Sequence, residues 1–217
     1  MKEYIKHLEF YAEDPYEGNL RQKVSDGEWG NRKVAERYLE RYWLPAGEYE
    51  RNWKNIQDSI FNNQSNGLVS LGFQEGFKIL PLRGGIMFDE QLFAKLTASL
   101  QRTGDEFFVV IQSFHDRTTW GNLTPFRLKY PVGMTWEEVR SGNYISAVLL
   151  DWPANEYFIF GNSGKWGMYV ANDYIHPLNV VAFQEDCAQV FRDNFNVAPD
   201  EWAEIKKWIP QSLKKYL

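Results

Sequence analysis

YFIFGNSGKWGMYVAND, residues 157–173, reads as two strands closed by a tight reversal. Tyr157, Phe158, Ile159 and Phe160 are strand formers, and Trp166 to Val170 resumes that character after the break. Between them, Gly161, Asn162, Ser163 and Gly164 are residue types that tolerate positive φ and close short reversals. Glycine followed by Lys165 invites comparison with a phosphate-binding loop. That pattern needs four residues between its glycines and then Lys-Ser/Thr opening a helix, whereas Lys165 runs into the strand sequence Trp166-Gly167-Met168-Tyr169. The stretch is therefore a hairpin, and Trp166 and Lys165 beside its turn become candidate contact residues.

Working outward, the apolar runs Ile145 to Leu150 and Asn179 to Phe183 predict flanking strands, with connections too short for crossover helices and so an antiparallel order. Phe107 to Phe114 is a continuous apolar run, as expected of a strand covered on both faces. Phe126 to Tyr130 alternates apolar with basic residues, as a half-exposed strand does. Thr135-Trp136-Glu137-Glu138 has capping-box spacing and predicts a very short helix. After the sheet, Cys187, Val190, Phe191 and Phe195 mark a helix. Pro199 with Asp200 and Glu201 opens a last one, whose stripe is Trp202, Ile205, Ile209 and Leu213 and which Pro210 should kink.

Toward the N-terminus, a polar arm precedes a helix capped by Asn31, carrying Val34, Tyr38, Leu39 and Tyr42 and stopped by Pro45. Tyr49, Trp53, Ile56 and Ile60 give a second helix, so residues of about 31–61 are expected to form a helical hairpin. Leu68 to Gly72 and Phe77 to Leu82 read as short strands. Asp89 caps a third helix bearing Leu92, Phe93, Leu96 and Leu100. With no repeat or low-complexity linker, residues 1–217 are read as a single α+β domain: a central antiparallel sheet in a sheet-rich middle of about 68–183, with helices at the N-terminal and C-terminal ends of the chain.

Composition narrows the function classes. A single cysteine, Cys187, excludes an internal disulfide framework and suits a reducing compartment, and no apolar run approaches the length of a membrane span. A cytoplasmic protein with no membrane partner is expected. The net charge of −5, from 29 acidic and 24 basic residues, argues against binding nucleic-acid backbones and favours a basic protein partner. Trp, Tyr and Phe make up 17% of the chain, more than a core needs at full burial, so either some aromatics lie at a contact surface or the large residues fill one sheet-and-helix core, the plainer reading.

Few constellations carry chemistry. His115-Asp116-Arg117, just past the apolar strand, is the best polar cluster, suited to an anion, a proton carrier or a partner contact, with a surface-loop salt bridge as the plainer reading, since adjacent residues on extended backbone point to opposite faces. Cys187 falls on the apolar stripe of its helix, where cysteine behaves as a small buried hydrophobe rather than a nucleophile. No pair among His7, His115 and His176 has metal-ligand spacing, so neither a metal nor a cofactor is predicted. The pairs Glu137-Glu138 and Asp200-Glu201 are explained by helix first turns.

This acidic α+β character, with the segment FIFGNSGKWGMYVAND, resembles the immunity proteins of bacterial polymorphic-toxin and contact-dependent inhibition systems, SMI1/KNR4-like in style. The usual acidic-glycine turn is replaced here by Asn162-Ser163-Gly164-Lys165. The resemblance implies a noncatalytic protein-binding module that neutralises a toxin by direct binding, with a basic toxin domain as the partner its acidic charge suits. On that reading no residue is catalytic, and His115, Asp116, Arg117, Trp120, Lys165 and Trp166 are the candidate partner-binding residues. The competing reading is a small-ligand-binding protein or hydrolase-like enzyme with a site near His115, Asp116 and Arg117.

Overall fold

A computed structural model of the chain describes residues 2–13, 32–62, 68, 71–84, 89–113, 124–151, 156–171 and 178–217. Six strands form one sheet: β1 (Lys78–Arg83), β2 (Phe107–Gln112), β3 (Arg127–Pro131), β4 (Tyr157–Gly161), β5 (Trp166–Val170) and β6 (Leu178–Phe183). Their order is β1-β6-β5-β4-β2-β3, and every neighbouring pair is antiparallel. The expected α+β architecture is present, and the 157–173 hairpin lies near its centre, with Tyr157 opposite Val170 and Phe160 opposite Gly167. Gly164 takes φ +69 in the turn, a conformation that favours glycine.

Alternation along the strands sorts the side chains into two cores, one on each face. Phe108, Val110, Tyr157, Ile159, Trp166, Met168, Val181 and Phe183 face one way. Val109, Ile111, Phe158, Phe160, Tyr169, Val180 and Ala182 face the other. Strands β4, β5 and β6 are buried at every position, because helices cover both faces. The first core is closed by α1 (Tyr4–Glu13), α2 (Arg32–Tyr42), α4 (Glu90–Thr103), α5 (Trp136–Arg140), α6 (Tyr144–Asp151) and α7 (Ala188–Asn194). The second is closed by α3, made of the contiguous helical segments Ala46–Glu48, Tyr49–Trp53 and Lys54–Ile60, and by α8 (Pro199–Trp208) with the 3-10 turn Gln211–Tyr216.

Four expectations are corrected. Ile145 to Leu150 belongs to helix α6, not to a strand. Ile145 and Leu149 are buried one helical turn apart, and a short apolar run looks the same in a fully buried helix as in a buried strand. The polar N-terminal arm contains helix α1, whose Tyr4 and Leu8 join the first core. Leu71 and Gly72 lie in no strand. Phe73 makes an isolated bridge to Phe61 at the end of α3, and its ring lies 5.5 Å from that of Phe61.

The fourth correction concerns α2 and α3, which straddle the sheet instead of pairing as a hairpin. Trp43 bridges to Leu128 on the edge strand β3, and Leu44 N donates to Arg127 O at 2.9 Å. Successive side chains on this extended link point to opposite faces, so Trp43 enters the first core and Leu44 the second. The link also covers part of the β3 edge. At the other edge, Pro81 sits within β1, where a missing N–H costs no ladder bond on the open side. Pro210 ends α8 at Ile209, and the chain continues in the 3-10 turn.

Candidate functional site

The hairpin turn is held from below by a buried carboxylate. Asp105 accepts from Thr103 Oγ1 at 2.6 Å, from Ser163 N at 2.6 Å and from the indole Nε1 of Trp166 at 2.7 Å. Asn162 Oδ1 adds bonds from Glu106 N at 2.9 Å and Phe107 N at 2.8 Å. A β-carbon on Gly161 would sit 2.3 Å from Asp105 Oδ1, so only glycine lets the strand pass this close. Trp166 is fully buried and is thus a core residue, which removes it as a partner contact. Lys165 is half-buried and pairs with Asp186 at 2.7 Å. This bond, first, and the nearby charge raise the lysine's pKa.

His115, Asp116, Arg117 and Trp120 lie outside the described residues. Ser113, the last described residue before them, donates through its N to Glu156 O at 2.7 Å, whereas Asn162 N donates to Phe107 O at 3.1 Å at the opposite end of β2. Six strand residues, roughly 20 Å, separate these two ends. The turn bearing Lys165 and the described approach to residue 114 therefore sit at opposite ends of the sheet. Near Ser113, its Oγ lies 2.9 Å from the Tyr169 hydroxyl, which donates to Glu156.

Other polar residues have structural roles. Cys187 is buried, and burial, with the Asp186 charge second, pushes its thiol up to about 11. Glu138 completes a capping box: its carboxylate accepts from Thr135 N at 2.9 Å and its own N donates to Thr135 Oγ1 at 3.2 Å. Among the described residues, no group of three or more His, Cys, Asp and Glu is placed to hold a metal ion. No helix among them is long and apolar enough to cross a membrane.

Among the described residues, a concavity lies between the start of α1 and the α2–α3 elbow. It is a groove of about 450 Å³ lined by Lys2, Glu3, Tyr4, Leu39, Glu40, Trp43 and Pro45. Its walls are apolar because Tyr4, Leu39 and Trp43 are packed into the first core, with the Tyr4 and Trp43 rings 6.3 Å apart and edge-on. Behind them the buried His7 ring lies 4.9 Å from that of Trp43. The rim is acidic. Glu3 accepts from Ala46 N, at 3.2 and 3.1 Å to its two oxygens, and from the Trp43 indole at 3.3 Å. Glu40 stands on the exposed side of α2, paired with Lys2, whose ammonium also lies 5.6 Å from the Tyr4 ring centroid.

This groove combines aromatic surface with carboxylates, the combination that attracts a cation. The sequence reading missed it. Its residues come from a helix hidden in the N-terminal arm and from the link that carries the chain across the sheet edge. The one local signal was an aromatic-proline break at Trp43-Leu44-Pro45 following the Tyr38, Leu39, Tyr42 stripe.

Compared with known proteins, the chain matches no family model, no curated protein and no solved structure.

Proposed function

We propose that the chain is a noncatalytic protein-binding module that receives a basic segment of a partner in the Tyr4–Trp43 groove. Neutralising a bacterial toxin domain in the cytoplasm, as immunity proteins do, is the role this fits. The observation that carries the reading is the pairing of ordered aromatic walls with the Glu3 and Glu40 carboxylates on one rim. The net charge of −5 supports it by favouring encounter with a basic surface. The aromatic excess does not add to it, since Phe107 and Leu217 are the exposed large apolar side chains among the described residues and the other rings mostly fill the two cores.

Calorimetric titration with basic bacterial toxin domains tests the reading. Glu40→Lys is expected to weaken the complex about tenfold or more and to reduce its dependence on salt. Glu204→Lys, on α8 and the other face of the sheet, should change it by less than about twofold. Equal effects from both substitutions, or no complex with the unmodified chain, would count against the proposal.

A further inference from the structure

The groove already contains a cation of the chain's own. Lys2 precedes α1, its carbonyl accepts from Ile5 N at 3.1 Å, and this turn lays its side chain back along the Tyr4 ring onto Glu40. We infer that Lys2 is a tethered stand-in for an arginine of the partner, occupying the Glu40 and Tyr4 positions until a guanidinium displaces it. The inference rests on the reading of the groove as the partner site and specifies the ligand.

Three features favour displacement by arginine. The Lys2 and Glu40 side chains are 58% and 60% exposed, so their ion pair is screened and readily exchanged. An ammonium contacts one carboxylate oxygen as a point charge, whereas a guanidinium forks onto both oxygens and lies flat on an aromatic ring. The cation position beside Glu40 already has a ring next to it, since the Lys2 ammonium lies 5.6 Å from the Tyr4 centroid, whereas Trp43 is buried against Tyr4 and His7 and serves through its Glu3-bound indole N–H as a reporter of the groove. A divalent metal is a poor alternative, since no set of three acidic, histidine or cysteine ligands converges here among the described residues.

The test is a titration of 15N-labelled protein with blocked tri-arginine and tri-lysine peptides, following the Trp43 indole N–H resonance, assigned with Trp43→Phe. Thermal midpoints of each variant verify the fold. In the unmodified chain tri-arginine should move this resonance and bind more tightly than tri-lysine. Lys2→Ser should tighten tri-arginine binding about threefold, as loss of an exposed competing ion pair allows. Adding Glu40→Gln to Lys2→Ser should weaken it at least about threefold. Equal tri-arginine affinity with and without Lys2, at a groove that still responds, overturns the tethered role alone. No response of the Trp43 resonance in either protein overturns this inference together with the groove as a cation site.

Discussion

Asp105 concentrates more structural consequence than any other single described side chain. Its carboxylate joins the end of α4 to the central hairpin through a hydroxyl, a backbone N–H and an indole, all around a site that is 7% exposed. Asp105→Ala leaves the Trp166 and Ser163 donors without their acceptor, and urea denaturation should show a loss of about 2–4 kcal/mol. Gly161→Ala drives a methyl into the same carboxylate and should cost about 1–3 kcal/mol. A stability unchanged by either substitution would remove Asp105 as the hub. Cys187 gives a pH-dependent prediction. Its thiol pKa is raised from 9.0 to about 11, so burial of the neutral form supports the fold fully below pH 9 and that support is lost as pH rises from 9 toward 11. At pH 8 the native protein should react with iodoacetamide about a hundredfold more slowly than in urea, two pH units of lost thiolate. Equal rates would mean an accessible thiolate. The hairpin itself was legible in residues 157–173, but the burial of Trp166 was not, because its acceptor lies 61 positions away in the chain.

Elements with local signatures were readable, and those defined by what covers them were not. Asp89 caps α4 by accepting from Leu92 N at 2.7 Å, and Thr135 with Glu138 forms the capping box that the spacing predicted. Thr135→Ala should therefore lower stability by about 1 kcal/mol in chemical denaturation, and no measurable change would deny the cap its role. By contrast, the apolar run at 145–150 carries nothing local that separates a strand from helix α6, and only packing against the first core decides it. The passage of Trp43-Leu44 across the β3 edge was equally hidden, since a proline stop indicates where a helix ends but not which face the next helix occupies. Leu44 is fully buried on the second face, so Leu44→Ala should cost about 2–4 kcal/mol, measured the same way.

At the scale of the molecule, one antiparallel sheet divides two aromatic cores, and that division accounts for most of the unusual ring content. Rings that look surplus for one core are absorbed when both sheet faces are covered, as in the stacked Phe183, Phe191 and Phe195 on one side and the Phe61, Phe158 and Phe160 group on the other. The acidic balance was legible in composition, but its placement at the groove was not, because Glu3 and Glu40 are brought together only when α1 docks on α2. Arg83, Gln112, Tyr157, Val170 and Leu178 lie at the end of the sheet opposite the hairpin turn, as the pairs Arg83 with Leu178, Gln112 with Tyr157 and Tyr157 with Val170 define it. On the proposed function, a cation of a basic partner docks on the Tyr4–Glu40 side of this groove. The decisive measurement is chemical-shift mapping of the labelled chain against a basic toxin domain that it binds in calorimetry. The Trp43 indole and the amides of Lys2, Glu3 and Glu40 should respond first, and Glu40→Lys should shift their titration to about tenfold or more higher partner concentration. Binding that leaves these resonances unmoved while others shift would contradict it.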